Sequence, residues 1–429
     1  MTVPEHRVLE SRVREQYERF PFPDYSKSSA AVRSLANSDD PARINGSLFG
    51  GRSDPSAWSI LIAGGGTGEK TLGLALLTRP FGTRIVHLDL SGRSLEVAER
   101  LCRAEGVDTV EFVQGSIYDI PSLLPDRRFD YVQCMGVLHH LPDPQGGLDV
   151  LAGILTDRGA LALGVYADVG RTAVYLAREA MGILTGEVEG LDEILAIGRS
   201  AMQRLPQSNW LQSDPAMMRH IGQHGDNALL DAVLHACDVA YDAHSFRELL
   251  DRSGLVFADH CEPIQKIVYD VRGYGFTADL RQRIAALPEL ARKRFLELFH
   301  GRLVVQSAYA SRGTAHRAAF LDDMIPHRTI FSTVSWTLHT GGWVELQDKR
   351  FGGLRMQVGE AATQYLLRVN DARANGEILD DMFAKEPAFG DRDTLRQRLE
   401  GELRPIFHYD LISLCDRPYR PASSRWDAG

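Results

Sequence analysis

Three alternating glycines, Gly64, Gly66 and Gly68, follow a short apolar run in the stretch ILIAGGGTGEKT. Glycines at this spacing let the backbone turn tightly and bring its amides close to a bound ligand. Three ligand-binding patterns come close to fitting. The phosphate-binding pattern G-x-x-x-x-G-K-[ST] and the dinucleotide pattern G-x-G-x-x-G both fail at Glu69, whereas G-x-G-x-G is met in full.

The charge of Glu69 distinguishes between these patterns. A carboxylate at the mouth of a turn whose amides and helix dipole attract anions would repel a phosphate. A ligand without phosphates, such as S-adenosylmethionine with its sulfonium cation and amino acid tail, meets no such repulsion. An NAD-dependent oxidoreductase is therefore disfavoured. A glycine turn that binds no ligand is the alternative interpretation.

An acidic residue follows the glycines at a distance of about twenty residues. Asp89 ends the strand-like run TRIVHLDL, and an acidic side chain there can accept hydrogen bonds from both hydroxyls of a ribose. The alternative role is to cap the helix that begins near Ser91. The glycine turn on one strand and the acid on the next together favour a nucleoside-binding sheet.

Alternating strand-like and helix-like segments over residues 56–167 predict the sheet that must position these residues. The strand-like runs are WSILIA, TRIVHLDL, VEFVQG, FDYVQCMGVL and GALALGVYA. LVFADHCE and IQKIVYDV predict two further strands at the sheet edge. The predicted fold class is therefore α/β, a doubly wound and mostly parallel sheet of seven strands, with ligands outside the carboxyl ends of the strands.

Changes in the pattern along the chain predict the domains. Residues 1–55 form an N-terminal segment that we expect to act as a lid, and residues 56–275 form the α/β domain. Helical patterns over 171–237 predict a cap inserted after the fifth strand. Residues 276–429 form a C-terminal α+β accessory region, of which 345–412 resembles a winged-helix peptide-recognition module. A dimerisation or purely structural role is the alternative for this region.

The motifs in the α/β domain resemble the class I S-adenosylmethionine-dependent methyltransferases. They are ILIAGGGTG, VHLDLS, VQGSIYDI, FDYVQCMGVLHHLPDP and LTDRGALALGVY, in the order and spacing of that family. The resemblance covers 56–167 and resumes over 244–272. It implies a Rossmann-like fold and S-adenosylmethionine as the cofactor. By position, it implies cofactor contacts for Ala63, Gly64, Gly66, Gly68, Asp89, Leu90, Ser116, Ile117 and Met135.

The resemblance also implies a part of the cofactor for each of these residues. Ala63 and the glycines would contact the methionine moiety and Asp89 the ribose, while Leu90 would pack on the adenine. Ser116 and Ile117 would lie at the adenine edge, and Met135 on the cofactor floor. Two departures stand out. Ile62 replaces the acid that often precedes the first glycine by two, and Ser116 replaces an aspartate common at that position.

Methyl transfer requires an acceptor held in line with the methyl–sulfur bond, and an ammonium or hydroxyl acceptor also requires a base. His140, after the fourth strand, is a candidate base; the alternative is that His139 and His140 pack against or cap the following helix. Tyr17 is a second candidate catalytic residue, since Tyr17 and Tyr25 lie in an aromatic-proline segment that could fold over the cofactor. The alternative is an anchor for the N-terminus.

Composition limits the remaining choices. The 429 residues carry a net charge of −9, which gives no general attraction to nucleic acid or anionic lipid. The sequence Cys134-Met135-Gly136-Val137 stands where base-amino methyltransferases carry an N-P-P-[YF]-like tetrad. Five scattered cysteines argue against disulfides or a structural zinc and suit a reducing compartment. The charged N-terminus is unlike a signal peptide, so we expect a cytoplasmic protein without bound metal.

The sequence thus predicts a methyltransferase that acts on nitrogen or oxygen of a small molecule or a peptide. Nucleic acid and membranes are not expected partners, and a homodimer is compatible with the accessory region. The alternatives are a non-catalytic protein that binds or senses adenosylmethionine, and a protein methyltransferase guided by the C-terminal module.

Overall fold

The structure, a computed structural model, describes residues 3–23, 40–313, 315–329, 334–339, 341–348 and 352–419. A seven-stranded sheet forms its centre. Its strands are β1 (Ser59–Ala63), β2 (Arg84–Asp89), β3 (Val110–Gln114), β4 (Phe129–Met135), β5 (Leu155–Tyr166), β6 (Val256–Asp259) and β7 (Val305–Ser311). Their order is β3-β2-β1-β4-β5-β7-β6. Only β7 runs antiparallel to its neighbours, which confirms the predicted fold class.

Helices cover both faces of this sheet because its central strands are apolar on both sides. Leu61 of β1 packs into the core on one face, whereas Ile60 and Ile62 pack into the core on the other. The covering helices are Glu69–Thr78, Gly92–Ala104, Ile120–Leu123, Pro144–Gly153, Ala243–Arg252 and Pro263–Val268. The strand order reverses between β1 and β4, and a ligand crevice is expected at this point of a doubly wound sheet.

The prediction of a strand over the segment IQKIVYDV is wrong. Its first half forms the helix Pro263–Val268, with Pro263 in the first turn, where a missing N–H costs nothing. Ile264 and Val268 are four residues apart and are buried on one helix face. The seventh strand is instead β7, so the sheet extends beyond the domain boundary that we expected at residue 275.

The segment 171–237 is helical, as predicted. Its helices are Thr172–Thr185, Leu191–Met202 and Pro215–Ala232, the last broken at Gly225, which has a φ of 57°. Their apolar side chains pack against one another and against Phe20 of the N-terminal segment. Met217 and Met218 belong to this cluster, so they do not form a core with the C-terminal region.

The C-terminal region has its own apolar core, built from short helices and two small antiparallel sheets. One sheet pairs β8 (Ile325–Arg328) with β12 (Ile412–Cys415). The other contains β9 (Val334–His339), β10 (Trp343–Asp348) and β11 (Gly352–Gln357). The helices of this core are Glu360–Leu366, Asn375–Lys385, Arg392–Glu402 and Arg404–His408. Ala278–Ala285 and Glu289–His300 lie outside it, and Glu289–His300 contacts the helix Ala243–Arg252 of the sheet domain. The winged-helix interpretation of 345–412 stays a prediction.

The N-terminal segment contributes two helices, Val3–Arg19 and Pro41–Leu48. The second packs closely on β12 of the C-terminal sheet: a Cβ added at Gly46 would lie 3.2 Å from the backbone of Leu414. In the described part of the chain, no helix has both the length and the apolar character needed to cross a membrane.

A buried ion cluster joins the three regions of the chain. Arg43 lies 3.3 Å and Lys266 2.7 Å from the carboxylate of Asp410, and all three side chains are almost fully buried. Arg317 also pairs with Asp410. Burial alone would raise the pKa of the Asp410 carboxyl, but the cations Lys266, Arg317 and Arg43 hold it well below its usual range. Asp410 is therefore ionised and balances several buried charges.

Replacing Asp410 with Asn should destabilise the whole chain. The change leaves Arg43 and Lys266 buried without their shared anion, and breaking a buried pair in this way costs about 3–5 kcal/mol of unfolding free energy. Urea denaturation checks this result. The matched control is Asp323→Asn, since Asp323 pairs with Arg52 at the exposed surface and should leave the midpoint nearly unchanged. Equal midpoints for the two variants would contradict the role of the cluster.

Candidate functional site

A cavity of about 290 Å³ lies at the carboxyl ends of β1, β2 and β4. This volume is close to the lower end of the range of small-molecule pockets. Eight of the nine residues predicted to contact the cofactor line it: Ala63, Gly64, Gly66, Asp89, Leu90, Ser116, Ile117 and Met135. The two candidate catalytic residues, His140 and Tyr17, line it as well. The structure thus brings together residues that are far apart in the sequence.

The glycine turn forms one wall of the cavity through backbone conformations that other residues rarely adopt. Gly64 and Gly66 have φ angles of 69° and 54°. A Cβ at Gly64 would lie only 2.6 Å from the side chain of Val137. Side chains at these positions would therefore be strained and crowded, and the turn keeps its backbone close to the space that a ligand would fill.

Gly68, the ninth of these residues, does not line the cavity, and its contact with the methionine moiety stays a prediction. It is the N-cap of the helix Glu69–Thr78, with a φ of 91°. A Cβ there would lie 2.6 Å from that of Ala98. Gly68 therefore allows the two helices that follow β1 and β2 to pack closely.

Asp89 is buried at the end of β2 and connects the glycine turn to the next helix. Its Oδ2 accepts a hydrogen bond from the Gly66 amide at 2.7 Å, and its Oδ1 accepts one from the Ser91 amide at 2.9 Å. Burial raises the pKa of the Asp89 carboxyl to about 6, although the two amide hydrogen bonds partly offset this effect. A carboxylate has about four lone-pair sites, so two remain for a ligand.

The N-terminal helix Val3–Arg19 closes the cavity with one face. Glu10, Val13 and Tyr17 all line it, and their spacing of three and four residues places them on the same side of the helix. Only Tyr17 was predicted. The i, i+3, i+7 spacing indicates that the three side chains share one face of a helix. It does not indicate which part of the protein that face covers.

Ser116 lies at the end of the cavity that also contains Leu90 and Ile117. Its hydroxyl donates a hydrogen bond to the Glu10 carboxylate. An acidic group is therefore present where the sequence lacked the family's aspartate, although it comes from the N-terminal helix.

Gln133 of β4 is a further cavity residue that the sequence analysis missed. It is the register partner of Ile62 in the adjacent strand and is 1% exposed. Neither its Oε1 nor its Nε2 has a hydrogen-bond partner among the described residues. Buried polar atoms are rarely left unpaired, so these two atoms fit a polar ligand group at this wall.

His140 occupies a turn after β4 and is held in one tautomer. Its Nδ1 lies 2.8 Å from the carbonyl oxygen of Cys237, which can only accept, so Nδ1 carries the hydrogen. Within the described ranges, its Nε2 has no partner. Burial lowers the pKa of His140, which keeps the ring neutral with a free lone pair on Nε2. His139, in contrast, packs on Tyr166 and does not line the cavity.

Tyr17 donates a hydrogen bond to Asp231 at 3.2 Å, and Tyr166 donates another to the second oxygen of the same carboxylate at 3.2 Å. Burial and the neighbouring Asp231 hold the pKa of Tyr17 well above its usual range, which keeps its hydroxyl protonated; a catalytic role for Tyr17 stays a prediction. Asp231 comes from the helix Pro215–Ala232 of the insertion. Tyr25, the other predicted aromatic of the lid, lies outside the described residues.

The cavity carries more negative than positive charge. Four carboxylates line it, those of Glu10, Glu69, Asp89 and Asp231, against the single cation Lys70. Such a lining favours a cationic ligand and disfavours phosphates. Among the described residues, no three or more His, Cys, Asp or Glu side chains form a group suited to a metal ion.

Comparisons with known proteins agree with this geometry. Residues 61–163 match the family described as a methyltransferase domain. An uncharacterized protein of Synechococcus sp., syc1184_c, is 35% identical over 246 residues, 56% of this chain and 56% of that protein. The uncharacterized methyltransferase YcgJ of Bacillus subtilis is 28% identical over 104 residues, 24% of this chain and 39% of YcgJ. The matches thus span about half, or less, of these two relatives.

Among solved structures, PKMT2 from Rickettsia typhi in complex with AdoHcy has a similar fold. The TM-score is 0.59 at 14% identity, with 89% of this chain and 76% of PKMT2 covered. Together with the sheet order and the glycine turn before Asp89, the family match identifies the domain built by residues 61–163 as a member of the class I S-adenosylmethionine-dependent methyltransferase superfamily.

Proposed function

We propose that the cavity binds S-adenosylmethionine and that the chain transfers a methyl group to nitrogen or oxygen of a small molecule or a peptide. The observation that carries this proposal is the buried Asp89 carboxylate beside the turn of Gly64 and Gly66, in an acidic cavity. Bound S-adenosylmethionine supplies an electrophilic methyl group on a sulfonium. The protein must hold the cofactor and orient an acceptor.

Each part of the cofactor has a chemically suited partner on the cavity wall. The ribose hydroxyls would donate to the two free lone-pair sites of Asp89. The adenine would occupy the apolar slot between Leu90 and Ile117. The unpaired amide of Gln133 would take a polar group of the methionine tail, at the place where Ile62 provides none.

The acceptor would lie near His140 and Asp231. His140 is neutral and has a free Nε2 lone pair, as a general base requires. Asp231, held by the hydroxyls of Tyr17 and Tyr166, would orient a donor group of the acceptor. An amine or hydroxyl acceptor would thus meet both a hydrogen-bond acceptor and a base.

The helical insertion 171–237 would act as a cap over this acceptor end. It contributes Asp231 to the cavity wall, and its apolar cluster includes Phe20, next to the N-terminal helix. Closing such a cap excludes water and aligns the reactants. The C-terminal region would guide a peptide acceptor if 345–412 is a peptide-recognition module.

Isothermal titration should detect binding of S-adenosylmethionine and AdoHcy, and none of ATP or NAD, because the carboxylates of the cavity repel phosphates.

Asp89→Ala should weaken AdoHcy binding at least about tenfold. It removes two charge-assisted hydrogen bonds to the ribose, each worth about 1.5–3 kcal/mol. Asp108→Ala, at an exposed position before β3, is the control and should bind normally.

The same titration has an expected pH dependence. Because the pKa of Asp89 is raised to about 6, and ribose hydroxyls donate to its ionised form, affinity should be retained above about pH 6 and fall below it. Asp89→Asn should remove this dependence. Binding of ATP alone, or normal AdoHcy binding by Asp89→Ala, would contradict the proposed site.

His140→Gln should lower kcat by about 10²–10⁴-fold while AdoHcy affinity stays the same, because general bases contribute on this scale. AdoHcy release with a panel of amine, hydroxyl and peptide acceptors measures this effect. His260→Gln is the matched control, since His260 is also buried and bonds to a carbonyl, that of Ser307, away from the cavity. Equal loss in both variants would exclude His140 as the base, and cofactor binding without turnover would indicate a non-catalytic protein.

Replacing Met217 and Met218 together with Ser should impair acceptor use, because both side chains pack in the apolar cluster of the proposed cap. Cofactor affinity should stay intact, because neither side chain lines the cavity. KM for the acceptor, AdoHcy affinity and the melting temperature should be measured on the same preparation. A sharply lower melting temperature with unchanged turnover by the folded fraction would mean that the insertion is only structural.

A further inference from the structure

The N-terminal helix brings an acidic side chain to the adenine end of the cavity. Glu10 accepts a hydrogen bond from the Ser116 hydroxyl, and both residues line the cavity. Within the described residues, Glu10 makes no ion pair with an arginine or lysine. A carboxylate offers about four lone-pair sites, so most of the accepting capacity of Glu10 is left for a ligand.

The surrounding wall suits a flat base with a donor at its edge. Val13 and Ile117 are buried apolar side chains, and they lie with the half-buried Leu90 around this end of the cavity. Ser116 is 5% exposed and lies two residues after β3. A planar ring between the apolar side chains would present its edge to Glu10 and Ser116.

We propose that Glu10 recognises the 6-amino group of the adenine, in place of the acid that is missing at position 116. The proposal rests on the proposed binding of S-adenosylmethionine and adds the residue that determines its base specificity. The 6-amino group donates a hydrogen bond, which a carboxylate accepts. A 6-oxopurine presents a carbonyl oxygen at the same place, and the carboxylate of Glu10 repels it.

The helix is held in place independently of Glu10, so this carboxylate can be changed without releasing the helix. His6 packs edge-on against Tyr118, with ring centroids 4.6 Å apart. At the other end, Glu18 accepts hydrogen bonds from the amides of Gly92 and Arg93 at 2.7 and 3.1 Å. A purely anchoring role for Glu10 would therefore be redundant.

The test compares AdoHcy with S-inosylhomocysteine, which carries hypoxanthine, by isothermal titration. The wild-type chain should bind AdoHcy at least about tenfold more tightly. Glu10→Gln should lose about tenfold in AdoHcy affinity. It should also lose most of the discrimination, because the amide can donate to the oxygen of hypoxanthine. Ser116→Ala should lower the AdoHcy affinity and the discrimination between the two ligands by smaller factors than Glu10→Gln, since it removes only the hydroxyl that orients Glu10.

The matched control is Glu15→Gln, an exposed glutamate of the same helix beside Arg19, which should bind both ligands like the wild type. Unchanged discrimination in Glu10→Gln, with AdoHcy still bound, would overturn the role of Glu10 and leave the proposed function intact. Loss of AdoHcy affinity in Glu10→Gln with unchanged discrimination between the two ligands would also overturn the role of Glu10, since a residue that only anchors the helix would give that result. Failure of the wild type to bind AdoHcy would overturn both proposals.

Discussion

The buried carboxylate of Asp89 is the constraint on which the cavity depends. It is removed from water, and its position is held by the amides of Gly66 and Ser91. Those two bonds connect the turn after β1 with the start of the helix after β2, so they fix the relative positions of the strand ends. Burial makes this carboxylate costly to ionise, and a ligand in the cavity can still reach it because Asp89 lines the wall.

Segments outside the sheet complete the cavity. The helix Val3–Arg19 lies between the sheet domain and the insertion: Glu18 binds amides of the former, and Tyr17 binds Asp231 of the latter. Asn227 of the insertion also donates to the carbonyl of Pro21 at 2.7 Å. The N-terminal segment and the insertion therefore support each other, and neither wall is independent of the other.

Local sequence patterns pointed to one wall of the cavity. The glycine turn and Asp89 sit at strand ends whose apolar runs are short and clear, and eight of the nine expected contacts line the cavity. Gly68 is the N-cap of the following helix and packs closely against Ala98, a contact that the motif does not reveal. Asp231 was missed because Tyr17, its partner, is 214 residues away in the sequence.

The edge of the sheet was predicted less well, for a related reason. Apolar residues in IQKIVYDV fit a strand or a helix, and only the contacts of Ile264 and Val268 decide between them. Glu10 is similar, since a charged residue on an amphipathic helix is normally a solvated one, and its role follows only from its contact with Ser116.

The position of β7 affects how the chain can fold as it is synthesised. β7 lies between β5 and β6, and β6 pairs with no other strand of the described sheet. Until residue 311 has left the ribosome, β5 therefore presents an open edge, and β6, although already made, has no strand to join. The β5–β7 pairing must also close across a long stretch of chain that contains the whole insertion, which slows folding. An unpaired apolar edge of this kind is prone to aggregation, so the nascent chain has more need of chaperones than the finished sheet suggests.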